Sequence, residues 1–192
     1  MDEQVAESST ASAIESTADS ESTPQCLQRK IYFLVDNLRS YHAELPVTLQ
    51  TRISYELLTE LAHCVLNEGI FEIVKALLEL QHATEKHLLQ MRLQVENEYE
   101  IEVTEWCSKI KDPKELSHIL DLLKAKHLNK LKDADKKIIE VLDQKVNDQQ
   151  STLHMAGVPG FYATQNAKEI KIQMFLLDFI LRLSRLKYKP NK

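Results

Sequence analysis

The histidines are the residues of this chain whose chemistry would best suit a metal site. His82 and His87 are five positions apart, which places them on different faces of a helix. The segment that contains them also lacks the H-E-x-x-H order with which a helix holds zinc. The histidines are therefore interpreted as core or surface residues, and no metal ion or other cofactor is predicted.

The cysteines are the candidate nucleophiles, and their spacing matches no known site. Cys26, Cys64 and Cys107 are odd in number and far apart, and they include no C-x-x-C pair. They predict reduced thiols in an intracellular protein of the cytoplasm, the nucleus or both. The chain also lacks a phosphate-binding loop, a dinucleotide fingerprint and a G-x-S-x-G motif. It is therefore not expected to be an enzyme, and no catalytic residue or small-molecule substrate is predicted.

The net charge of −5 comes from the beginning of the chain. Residues 1–23 carry six acidic side chains and no lysine or arginine, and they consist mostly of serine, threonine, alanine and acids. Such a segment buries too little apolar surface to offset its ordering entropy, so it is predicted to be a disordered tail. The remaining chain is almost neutral, and binding to nucleic acid is not expected.

The scarcity of helix breakers predicts an all-α fold. Residues 70–156 contain no glycine and one proline, Pro113, and their apolar residues recur every three or four positions. They are predicted to form two long helices that break at Asp112-Pro113, with Asp112 as the N-cap of the second helix.

A shorter helical region precedes the long helices. Residues 25–68 are predicted to form a hairpin of two short amphipathic helices. The second of these would be continuous from Leu49 to Val65, and Gly69 would end it in the left-handed conformation.

The two long helices have nearly equal lengths, which predicts an antiparallel, coiled-coil-like hairpin within an elongated helical bundle. A run of glutamates at positions 96–105 would then lie beside Lys124 and Lys126, with Lys130 and Lys132 just beyond. Each exposed ion pair contributes only about 0.2–1 kcal/mol, so the pairs would set the register more than the stability. A single kinked rod and two separately solvated charged faces are the alternatives.

Residues 157–166 are the glycine-containing connector to the last helix. Pro159-Gly160 predicts a type II turn. Phe161 and Tyr162 would anchor the last helix on the bundle. Alternatively, these four residues would form a partner-contact surface.

Residues 167–189 are predicted to form a final helix that is apolar around much of its circumference. A helix of this kind is normally buried, either in its own chain or in a second copy. Its end is basic, with Arg182 and Arg185, and would either complement the helix dipole or contact anionic lipid.

These patterns predict a non-enzymatic adaptor or scaffold that binds protein partners, or itself, through helix seams. The alternative is a peripheral membrane or trafficking factor that uses the basic C-terminal helix. The residues predicted to line the seams are Leu77, Leu88, Met91, Val95, Ile138, Leu142, Leu177 and Ile180.

Three stretches of the chain resemble a known family. They are Glu44-Leu-Pro with Arg52-Ile-Ser-Tyr55, the segment from Phe71 to His82 with Thr84-Glu-Lys86, and the segments Leu142–Leu153 and Ala156–Tyr162. Together they resemble the family of the DiGeorge syndrome critical-region protein and the insect gonadal protein. The size and acidic start look most like the insect gonadal member. The resemblance implies a helical, intracellular, developmental protein without established catalytic activity, expressed in gonads or germ line.

Overall fold

The computed structural model describes residues 24–186 and Tyr188. These residues form six α-helices and no strand, which confirms the all-α fold class. The predicted tail of residues 1–23 lies outside the described residues. The helices are α1 (Pro24–Ala43), α2 (Val47–Gln50), α3 (Tyr55–Cys64), α4 (Gly69–Lys109), α5 (Pro113–Met155) and α6 (Ala167–Ser184).

The described residues divide into two compact units. The first contains residues 24–71, 157–160 and 166–186 with Tyr188, and the second contains residues 72–156 and 161–165. The second unit thus contains almost the whole of α4 and all of α5.

The core of the first unit comes from α1, α3 and α6. Leu38, Leu61, Leu176 and Ile180 are completely removed from solvent, and Phe179 is 1% exposed. Burial of each such side chain contributes roughly 1.5–3 kcal/mol, so these contacts dominate the stability of the unit.

The predicted second helix is divided into two, which corrects the sequence-based expectation. Helix α2 is a single turn, and α3 starts afresh at Tyr55. Ser54 is the N-cap of α3, and its side chain accepts a hydrogen bond from Leu57 N at 3.2 Å. A serine at an N-cap satisfies a backbone donor that the helix itself leaves unpaired, so the helical path restarts at this residue.

The prediction for Gly69 was also wrong. Gly69 is the first residue of α4, and its N–H donates to Asn67 Oδ1 over 3.1 Å. Among the described residues, the glycines with positive φ are Gly157 and Gly160. Gly160 has a φ of 81°, which fits the third position of the expected type II turn.

Helix α6 ends at Ser184, earlier than the predicted end near residue 189. It buries one face, formed by Ile172, Leu176, Phe179, Ile180 and Leu183. Met174 on the same helix is 63% exposed. The described part of the chain therefore covers one face of α6, and burial of the other faces in a second copy stays a prediction.

Helices α4 and α5 meet at the predicted break. Asp112 is the N-cap of α5, where its side chain accepts a hydrogen bond from Lys114 N at 3.4 Å, and Pro113 occupies the first helical position. A proline here loses no helical hydrogen bond, because the first N–H groups of a helix have no intrahelical partner.

Candidate protein-interaction site

Cross-helix contacts show that α4 and α5 run antiparallel. As the contacting residue moves towards the end of α4, its partner moves towards the beginning of α5. This order defines a hairpin and excludes the kinked rod. The contacts are Gln149 Nε2 to Gln81 Oε1 at 2.9 Å, Arg92 Nε to Asp135 Oδ1 at 2.9 Å, and the Tyr99 ring stacked on His127 with centroids 4.3 Å apart.

Ion pairs fix the same register near the hairpin turn. Lys126 Nζ lies 3.0 Å from a Glu102 carboxylate oxygen, and Lys130 Nζ lies 3.4 Å from Glu98. The hydrogen bond from Lys126 lowers the pKa of Glu102. The predicted alignment of the glutamate run with the lysines of α5 is confirmed for Lys126 and Lys130. Lys124 and Lys132 lie level with the same run but make no ion pair within the described part of the chain.

The predicted seam residues have different degrees of burial. Leu88 and Ile180 are buried, and Met91 is 37% exposed. Because a seam between two helices keeps both flanks open, complete burial of its residues requires further packing elements. The half-buried seam residues are Leu77, Val95, Ile138, Leu142 and Leu177.

One flank of the hairpin carries exposed apolar side chains around the Arg92–Asp135 ion pair. Leu89 lies three residues before Arg92, and Ile139 lies four residues after Asp135, so each shares a helix face with the ion pair. Since the helices are antiparallel, Leu89 and Ile139 both lie farther from the hairpin turn than the ion pair does. Leu93 extends this flank on α4, and Leu128 extends it on α5.

These four residues define the Leu89–Ile139 face. Their exposed fractions are 56% for Leu89, 45% for Leu93, 49% for Leu128 and 59% for Ile139. Single exposed apolar residues are normal on a protein surface, but a group on one side of a helix pair is typical of an interaction surface.

The sequence-based interpretation missed this face. Leu89 and Ile139 directly follow the seam positions Leu88 and Ile138, and Leu93 lies between Met91 and Val95. The sequence signal for this face was a second row of apolar residues beside the predicted seam on both α4 and α5. Only the observed register shows which row the hairpin leaves uncovered.

The connector residues differ in their burial. Pro159 and Gly160 are half-buried, Phe161 is 4% exposed, and Tyr162 is 44% exposed. The carbonyl of Phe161 lies 3.0 Å from His154 Nδ1, within the second unit. Anchoring of the last helix and contact with a partner both stay predictions for these residues.

The basic end of α6 is partly used inside the first unit. Arg182 donates to both carboxylate oxygens of Glu44, at 2.8 and 3.0 Å, and its guanidinium lies 3.7 Å from the centroid of the Tyr41 ring. The Arg182 guanidinium lowers the pKa of the Glu44 carboxyl through this hydrogen bonding. Arg182 thus joins α6 to the end of α1, which leaves it less available for lipid headgroups.

Replacing Glu44 by glutamine is expected to destabilise the fold slightly at neutral pH but not in acid. The folded-state pKa of Glu44 lies below its unfolded value, so the pair stabilises the fold above the unfolded pKa. That stabilisation is lost as the pH falls through the folded-state pKa. Urea unfolding of wild type and Glu44→Gln over a pH series measures the difference, and a difference that persists at the acid end would contradict this assignment.

The described residues contain no group of three or more His, Cys, Asp and Glu side chains that could hold a metal ion. Burial raises the pKa of the Cys64 thiol, which disfavours the reactive thiolate. Within the same part of the chain, no helix has the length and hydropathy that crossing a bilayer requires.

These features define an all-α protein whose long antiparallel hairpin presents an uncovered apolar face. The chain belongs to the family of the DiGeorge syndrome critical region 6 (DGCR6) protein, whose family model matches residues 8–192. This finding confirms the resemblance seen in the sequence.

Two relatives show how closely the chain follows this family. It is 76% identical to gonadal protein gdl of Drosophila melanogaster over 170 residues, which cover 88% of each chain. It is 38% identical to protein DGCR6 of Gallus gallus over 178 residues, which cover 86% of this chain and 89% of the relative. No solved structure matches the chain.

Proposed function

We propose that the chain is a non-enzymatic, intracellular helical protein that binds other proteins through the α4–α5 hairpin. The observation that carries this proposal is the Leu89–Ile139 face, where four large apolar side chains remain exposed beside a half-buried seam. A helix laid against this flank would cover these side chains and complete the burial of the seam.

The Leu89–Ile139 face contains charged residues that can make binding selective, in addition to its apolar side chains. The Arg92–Asp135 ion pair lies among the apolar residues, and its atoms are 2.9 Å apart. Hydrogen bonding to Asp135 raises the pKa of Arg92 further, so the guanidinium stays charged. A charged pair inside an apolar face disfavours partners without matching polar groups, which gives selectivity.

The relatives suggest where this binding operates. The Drosophila melanogaster relative is named a gonadal protein, and it shares 76% of the aligned residues with this chain. We extend that name to a developmental role of this chain in gonads or germ line. The interaction partner is then a protein present in that tissue.

Replacing Leu89 and Ile139 together by lysine is expected to abolish partner binding without unfolding the chain. Both side chains are more than half exposed, and surface substitutions usually change stability by less than about 0.5 kcal/mol. A lysine in the centre of an apolar contact must lose its hydration, which strongly opposes docking. Proximity labelling in gonadal tissue compares the proteins labelled by wild type and by the variant.

The matched control is the double variant Asn97→Lys and Asn129→Lys. These residues are exposed on the same two helices, on the side away from the seam, and the variant adds the same charge. Proteins that lose labelling with the face variant but keep it with the control are the expected partners. Equal labelled sets for wild type and face variant would contradict the proposal.

A further inference from the structure

Three exposed charges on the same flank of the hairpin make no ion pair within the described residues. Glu100 lies on α4, seven residues after Leu93, so it shares the side of the helix that carries the Leu89–Ile139 face. Lys124 and Lys132 lie on α5, each one helical turn from Leu128. At the level of Leu128 the flank therefore has an unpaired acid on α4 and unpaired bases on α5; Asp121, seven residues before Leu128, is a further exposed charge without an ion pair among the described residues.

The observed register places both bases within one helical turn of the level of Glu100 along the hairpin. Tyr99 stacks on His127, and Glu98 pairs with Lys130, so Glu100 lies level with Leu128. Lys124 and Lys132 lie one turn below and above that level. Within one hairpin, no ion pair joins Glu100 to Lys124 or Lys132. Their charged atoms are therefore more than 4.0 Å apart.

A second copy of the hairpin satisfies all three charges. In two hairpins related by a two-fold axis parallel to the helices, α4 of one copy lies over α5 of the other. The two helices are then antiparallel in the same register as within one hairpin. Glu100 of each copy would face Leu128 of the other, between Lys124 and Lys132, and Leu89 would face Ile139.

Other two-fold arrangements lack this complementarity. An axis perpendicular to the helices and in the plane of the hairpin would set α4 against α4 and α5 against α5. Lys124 and Lys132 would then approach a second α5 and not Glu100, so the three charges would find no opposite partner.

We infer that the Leu89–Ile139 face is a self-association surface that joins two copies of the chain, with α4 of each copy on α5 of the other. This inference rests on the proposed function, because it names the occupant of the same face. The occupant is a second copy, since the face supplies both the acid and the bases that its partner requires.

Sedimentation of the full chain tests the inference. The wild type is expected to sediment at twice the 22.2 kDa mass of the chain at micromolar concentration. Leu89→Lys with Ile139→Lys is expected to sediment as a monomer, and the control Asn97→Lys with Asn129→Lys as a dimer. Circular dichroism of each variant verifies that the helices are intact.

A charge exchange tests the pairing of the helices. Glu100→Lys alone, and Lys124→Glu with Lys132→Glu alone, should each weaken self-association about tenfold or more, because each sets like charges against each other. A mixture of the two variants should recover the dimer, since every lysine of one copy then faces a glutamate of the other. The mixed dimer is identified with a mass tag on one variant.

The results separate this inference from the proposed function. A monomeric wild type or a dimeric face variant would overturn self-association, and a mixture that does not recover would overturn the pairing of α4 with α5. If the wild type is monomeric while the face variant loses labelled partners in tissue, a helix of another protein occupies the face and the proposed function stands. If labelling is also unchanged, both proposals are overturned.

Discussion

Replacing Phe179 by alanine is expected to destabilise the folded chain by about 3–5 kcal/mol. Phe179 is 1% exposed on α6, and it is among the largest side chains that the first unit buries completely. Its ring lies 5.8 Å from that of Tyr41 on α1, in a tilted arrangement. The variant loses this ring contact and leaves a cavity, because the surrounding helices relax only in part.

Met174→Ala is the matched control for this prediction. Met174 lies on the same helix but is 63% exposed, so its truncation should change the free energy of unfolding by less than about 0.5 kcal/mol. Urea unfolding followed by circular dichroism measures both variants. Equal midpoints for Phe179→Ala and Met174→Ala would show that α6 is not packed through the face described above.

Gly160→Ala is expected to be the second most damaging of these substitutions. The φ of 81° at this position costs a residue with a Cβ about 1–2 kcal/mol. The added methyl group would also lie 2.7 Å from Leu176 Cδ1 and 3.3 Å from Leu57 Cδ1. Leu176 is fully buried and cannot move aside freely, so overpacking should add about 1–3 kcal/mol.

Gly157 provides a control for the steric part of this cost. It has a similar φ of 75°, but an added Cβ would meet no atom within 4 Å. Gly157→Ala should therefore lower the free energy of unfolding only by the cost of the backbone conformation, about 1–2 kcal/mol. Thermal unfolding of the two variants gives the difference directly, and a Gly157→Ala variant as unstable as Gly160→Ala would exclude the proposed steric conflict.

The long hairpin could be predicted from the sequence because its signals are local. Few glycines and prolines interrupt α4 and α5, and Asp112-Pro113 carries both an N-cap and a residue suited to the first helical turn. The register was also accessible, since the glutamates near position 100 and the lysines near position 128 can approach only if the helices fold back.

The errors have physical reasons that depend on tertiary packing. Ser54 lies inside an apolar period that continues across it, so the period hid the N-cap at which α3 begins. Gly69 lies at the boundary between two helices, where glycine fits both a helix end and a helix start. On α6, Met174 and Phe179 are both apolar, and packing against α1 decides which of them is buried.

The candidate site was the least predictable part for the same reason. Leu88 and Leu89 are neighbours with identical side chains, yet Leu88 is 5% exposed and Leu89 is 56% exposed. The sequence indicates that apolar rows exist on α4 and α5. The position of the second helix determines which row remains available to a partner.

Alkylation of a thiol placed at position 139 tests the interaction face most directly. In the full chain carrying Ile139→Cys, the account predicts slower alkylation in gonadal extract than in dilute purified protein, because a bound helix covers the face. The Asn129→Cys control should react at the same rate in both, and peptide mass spectrometry separates these thiols from the native cysteines. An equal rate at position 139 in extract and in dilute buffer would contradict the account.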